Sequence, residues 1–70
     1  MSASPRFTIE VTVPAHDERG NVVGYEGREV WTGDDPDEAR RVLAAARHDF
    51  EDRAAMIREF SAGRFVREFD

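Results

Sequence analysis

Polar and apolar positions alternate from Arg6 to Ala15. Phe7, Ile9, Val11 and Val13 fall on one side, with Thr8, Glu10 and Thr12 on the other. Period two in β-branched residues predicts a half-buried strand. His16-Asp-Glu-Arg-Gly-Asn21 follows, and its Gly20 suits the left-handed position of a short hairpin loop. A second strand is expected over Val22 to Thr32. With Asp17 opposite Asn21, a regular register sets Val13 beside Tyr25, Glu10 beside Arg28 and Phe7 beside Trp31. Phe7, Ile9, Val11, Val13, Val23, Tyr25 and Trp31 would then share the core face, and Glu10 would pair with Arg28 in solvent. Glu29 fits badly, because this register points it inward. A bulge at Gly24 or Gly27 would turn Glu29 and Trp31 out and Val30 in. The regular register is the preferred reading.

The period changes at Trp31-Thr-Gly-Asp-Asp-Pro-Asp-Glu-Ala39. Asp35 reads as a helix N-cap, Pro36 as the first helical residue, and Glu38 as the partner in a capping box. Asp34 and Asp37 add negative charge near the positive end of the helix dipole. Ala39, Val42, Leu43, Ala46, Phe50, Ala54, Ile57 and Phe60 then recur at helical spacing. Asp37–Arg41 and Asp49–Arg53 are spaced as i,i+4 ion pairs. The stripe predicts one helix from Pro36 to Phe60, about 37 Å long, over strands of roughly 33 Å. Its last turn would project. Nothing in the sequence demands a break near His48-Asp49. Ser61-Ala-Gly63 is expected to end the helix, with Gly63 as C-cap. Arg64 to Asp70 alternates again and reads as a short third strand, with a helical turn as the second choice.

Composition makes this pattern carry a thin core. Of 70 residues, 28 are hydrophobic, but nine of those are alanine, while Leu, Ile, Val and Phe together number 15. A single domain of this size is near the lower limit for independent folding, so a partner or second copy could complete an apolar face. Residues 1 to 5 read as a flexible tail and 6 to 70 as the domain. No cysteine is present, which removes disulfides, thiolate nucleophiles and Cys-based zinc sites. No signal peptide is read at the N-terminus and no run reaches the roughly 20 apolar residues of a membrane span. A cytoplasmic location is the expectation.

The net charge is −5, from 15 acids and 10 bases, every base an arginine. That balance disfavours direct nucleic-acid binding, which depends on phosphate contacts, and favours a basic protein partner. No catalytic constellation is legible. Ser2, Ser4 and Ser61 have no base partner, and no catalytic residue or cofactor is assigned. His48 and Asp52 could reach one metal ion, but two ligands fall short of a structural site; His48 reads as solvated helix and His16 as part of the turn. Gly20-Asn-Val-Val-Gly-Tyr-Glu-Gly27 lacks the spacing of a phosphate loop and feeds a strand. Pro36 interrupts the acids, against a calcium loop. Phe7, Tyr25 and Trp31 could form a base-stacking platform, yet they occupy the only face available for a core.

The strand followed by Gly33-Asp-Asp-Pro-Asp-Glu-Ala-Arg-Arg-Val-Leu-Ala-Ala-Ala46 resembles the strand-to-helix junction of many small α+β domains, HicB-type antitoxins among them. The likeness covers this junction and rests on capping residues. Such an antitoxin would carry a further strand before the helix, and none is found. The sequence therefore predicts an α+β domain of order ββαβ, a hairpin under one long amphipathic helix with a short C-terminal strand. The functional expectation is a non-enzymatic acidic module that regulates or inhibits a partner protein with a basic surface, nucleic-acid-binding proteins among the candidates. Asp34, Asp37, Asp49, Glu51 and Asp52 would supply charge, and Phe60, Phe65 and Phe69 apolar anchors. The alternatives are a structural homo-oligomer, an accessory part of a larger assembly, or an antitoxin-like domain.

Overall fold

A computed structural model describes residues 5 to 70. Most of the expected tail lies outside the described residues; Pro5 is exposed. The chain forms β1 (Phe7–His16), β2 (Val22–Gly33), α1 (Pro36–Asp49), β3 (Met56–Ser61) and β4 (Arg64–Phe69). The strands make one antiparallel sheet in the order β2-β1-β3-β4. Helix α1 carries the chain across β1 and packs on one face. The domain is α+β, as expected, with one strand more than predicted: ββαββ.

Alternation in β1 does what it predicts. Phe7, Ile9, Val11 and Val13 are buried under Ala39, Leu43 and Ala46 of α1, with Ala55 and Ile57 completing the core. Val30, Trp31, Val42, Phe50 and Phe69 close its margins. Ile9, Ile57 and Val11 are the largest fully enclosed side chains. Burial of each stabilises the fold by about 1.5–3 kcal/mol.

The predicted helix over 36–60 is corrected: α1 stops at Asp49. Phe50 leaves the helical region and Glu51 turns left-handed at φ 54°. The Glu51 amide then donates to the His48 carbonyl at 3.3 Å, and the Asp52 amide to the Arg47 carbonyl at 3.1 Å. This is a Schellman motif whose left-handed residue is glutamate instead of glycine. Arg47 fastens the segment between α1 and β3, donating through Nε and Nη2 to the Ala55 carbonyl at 3.0 and 2.7 Å. Ile57 and Phe60, read as one helical stripe, instead point to opposite faces of a strand. Ser61-Ala-Gly63 ends no helix; Ala62 and Gly63, at φ 51° and 78°, form the turn between β3 and β4. Two consecutive left-handed residues match the twist of a two-residue hairpin.

The regular register of β1–β2 is also corrected. It begins as expected, with the Asp17 amide donating to the Asn21 carbonyl at 2.9 Å and His16 beside Val22. It then slips by one residue at Val23 and again at Val30. The slips place Pro14 beside Tyr25 and Ile9 beside Trp31. Val23 and Tyr25, expected in the core, are therefore 66% and 73% exposed. Glu29 turns out, and both Val30 and Trp31 are half-buried. The Trp31 ring lies where a side chain on Gly33 would sit, so a larger residue there would displace the ring. Glu10 lies opposite Glu29 and not Arg28; it meets Arg58 at 3.8 Å, while Arg28 meets Glu26 at 3.8 Å.

With only 14 residues, α1 extends about 21 Å. The molecule measures 42 Å along its longest axis. The outer half of the β1–β2 hairpin therefore runs past the helix, and the sheet face opposite α1 carries no covering element among the described residues.

Candidate functional site

The acidic residues separate by what their carboxylates hold. Asp35 caps α1, accepting from the Asp37 amide at 2.9 Å. Glu38 makes no bond back to the cap among the described residues, so the capping box is not closed. Asp34, expected to face a partner, accepts instead from the Arg6 amide at 2.9 Å and ties the end of β2 to the start of β1. Asp52 accepts from the Thr12 amide at 2.7 Å and the Ala54 amide at 3.1 Å. β3 pairs with β1 only as far as Glu10, so Asp52 satisfies a strand amide that β3 does not reach. These two are fold-building groups.

Asp37, Asp49 and Glu51 stay exposed. Asp37 pairs with Arg40 at 3.5 Å, an i,i+3 contact in place of the expected Arg41. Arg53 lies beyond the helix, so the spacing with Asp49 no longer applies. Asp37 and Asp49 mark opposite ends of α1, about 18 Å apart along its axis. The two acidic regions do not merge into one surface.

The phenylalanines divide too. Phe69, expected as an anchor, belongs to the core margin: its ring meets Phe7 edge-on at 5.8 Å, with the Arg67 and Arg40 guanidinium groups at 4.8 and 5.7 Å. Phe60 and Phe65 pair edge-to-face at 5.9 Å on the uncovered side of the sheet. Phe65 is 55% exposed and its neighbour Val66 52%. The Arg58 guanidinium sits 5.8 Å from the Phe65 ring. Beside them lies a shallow hollow of about 200 Å³ lined by Pro5, Thr8, Phe60 and Gly63. Two aromatic residues flanking a glycine turn, Phe60-Ser-Ala-Gly-Arg-Phe65, were the sequence signal for this arrangement.

A second hollow on the same face, about 160 Å³, contains Glu10, Asp52, Arg58 and Glu68. Its charges are mutually occupied: Arg58 contacts Glu10 at 3.8 Å and Glu68 at 3.6 Å, while Asp52 serves backbone amides. On the helix face, Glu59 accepts from Arg67 Nε at 2.7 Å and from Arg6 Nη2 at 3.4 Å. The Arg67 hydrogen bond is the main reason its carboxyl lies below the ordinary value of 4.5, with partial burial opposing. This is an ion-pair cluster joining β3, β4 and the start of β1.

His48 cannot share a helical face with Asp52, since the helix has ended and that carboxylate is bonded to amides. No group of three or more His, Asp or Glu side chains among the described residues could hold a metal ion. No described helix is long and apolar enough to cross a membrane. The further strand before the helix that a HicB-type antitoxin would carry is not found among the described residues; the additional strand follows the helix. Compared with known protein families, curated proteins and solved structures, the chain matches none.

Proposed function

We propose that this chain is a small non-enzymatic protein-binding module, a regulator or inhibitor acting by stoichiometric contact. The observation that carries this reading is the Phe60–Phe65 pair, half-buried Phe60 against exposed Phe65, on a sheet surface with no described element over it. Exposed aromatic side chains beside arginine are the composition of interface centres. Val66 and the hollow beside Phe60 extend the apolar contact, and Arg58 offers a hydrogen-bonding rim. Asp37, Asp49 and Glu51 remain as peripheral acids. With the net charge of −5, they would speed encounter with a basic partner, a nucleic-acid-binding protein included, more than hold it.

The test is affinity capture from the host lysate with the wild-type chain, with Phe65→Ser, and with Tyr25→Ser as a control at the other end of the molecule. The reading expects a partner that Phe65→Ser loses and Tyr25→Ser retains, and whose complex survives high salt. Identical capture by all three chains would rule out the aromatic surface. A complex abolished by salt alone would return the binding to the acids.

A further inference from the structure

The sheet treats its unpaired edges differently. Past Glu10, β1 pairs with no described strand on its β3 side, yet that edge is closed. The Thr12 amide is bonded to Asp52 at 2.7 Å, and Pro14 has no N–H to offer. The outer edge of β4 is broken by an extra residue, Val66, in a six-residue strand. β2 has neither device between its bulges at Val23 and Val30. From Gly24 to Glu29 it pairs regularly with Glu10 to Ala15, and no described residue pairs with its other side.

Which backbone groups face that open side is set by the register. Thr12 turns its amide away from β2, so Val11 and Val13 turn theirs toward it. Their partners Arg28 and Glu26 point inward, and Tyr25, Gly27 and Glu29 point outward. A copy of this strand related by a two-fold axis must add antiparallel, with the axis on one residue of the run. An axis at Glu26 opposes two glutamates, and an axis at Arg28 opposes two arginines. An axis at Gly27 opposes Glu26 to Arg28 of the partner subunit, and Arg28 to Glu26 of the partner subunit. The segment Tyr25-Glu-Gly-Arg-Glu29 is complementary to itself in that register alone of the three.

We propose that the chain forms a two-fold dimer through β2, centred on Gly27, joining two sheets into one with both helices on the same side. Tyr25 then exchanges backbone hydrogen bonds with Glu29 of the partner subunit, and Gly27 with its own symmetry mate. Tyr25 and Val23 lose solvent exposure. Within one chain Arg28 and Glu26 meet only at 3.8 Å, each side chain more than half exposed, so little is given up when they re-pair across the axis. Because β2 and β4 are opposite edges of the sheet, the dimer leaves Phe60 and Phe65 free. It stands or falls separately from the proposed protein-binding surface.

Sedimentation equilibrium on the full chain, from micromolar to millimolar concentration, tests this. The wild type should show a dimer fraction that grows with concentration and shrinks with added salt. Glu26→Arg and Arg28→Glu each convert both cross-axis contacts to like-charge pairs and should weaken association by about tenfold or more. Mixing those two variants in equal amounts should restore dimers, because an Arg–Arg strand then meets a Glu–Glu strand. Hydrogen exchange on the unmodified chain gives a reading independent of variant folding: the Tyr25, Gly27 and Glu29 amides should gain protection as concentration rises. A concentration-independent monomer would overturn the proposal. So would a dimer indifferent to both substitutions, or a mixture no more associated than its components.

Discussion

The two hairpins of this sheet are built on different plans. β1–β2 joins strands of 10 and 12 residues and buries four alternating side chains of β1 in one core. Its turn is organised by Asp17, whose carboxylate accepts from the Arg19 and Asn21 amides at 2.8 and 3.0 Å. β3–β4 joins strands of six residues, sends Ile57 alone fully into the core, and turns on Ala62-Gly63. β1 thus carries its own conformational signal, whereas β3 takes its conformation from the strand beside it. A segment with one deep core residue has no period to read. Its pairing with Phe7 to Glu10 supplies the backbone hydrogen bonds that make it a strand.

Removing that single anchor is the most damaging test of the contrast. Ile57→Ala should cost about 2–5 kcal/mol, comparable to the whole stability of a domain this small, on the order of 5 kcal/mol. Urea unfolding should show a largely unfolded population in dilute buffer. A loss below about 1 kcal/mol would mean that β3 is held by something other than the core. The second test addresses how β1 ends where β3 no longer reaches it. Asp52→Ala leaves the Thr12 and Ala54 amides without their carboxylate and should cost about 1–3 kcal/mol, with faster hydrogen exchange at Thr12. Asp49→Ala, three residues earlier, should stay within about 0.5 kcal/mol.

A smaller effect, of opposite sign, is expected where non-glycine residues are left-handed. Glu51→Gly and Ala62→Gly should each raise stability by up to about 1 kcal/mol, read as higher thermal midpoints. A fall at either position would show that its side chain contributes more than its backbone conformation costs. The smallest effect concerns the ion pair across β3 and β4. The folded-state pKa of Glu59 is lowered, so its contribution is fully present above the ordinary value of 4.5. It is lost as pH falls through the lowered value. Wild type and Glu59→Gln should therefore differ most near neutrality and converge in acid. A gap that widens in acid would reverse the assignment.

Much of the fold was legible where local chemistry and tertiary packing ask for the same residues. Alternation in β1 marked the central strand. Asp35 and Pro36 marked the helix start to the residue, and Gly20 marked the first turn. The helix end was not legible, because its left-handed position is filled by Glu51 and the apolar spacing runs on through Ile57 to Phe60. Residues three apart fit one side of a helix or opposite faces of a strand, and composition does not choose between them. The candidate site was legible in its parts only. Phe60 and Phe65 were each expected to be exposed; Phe65 is, Phe60 is half-buried against it, and Phe69 packs on Phe7, a contact 62 residues distant in sequence.

By itself the sequence determined the α+β class, the inner face of β1, the start of α1 and the acidic balance of the surface. Those depend on periodicity, on capping groups within a few residues of their targets, and on counted charge. Tertiary structure alone decided the fourth strand, the two bulges of β2, and the work of Asp34 and Asp52. Each rests on a backbone group meeting a partner far away in the chain. A carboxylate written in a run of acids looks like surface until the strand amide it must satisfy is in place.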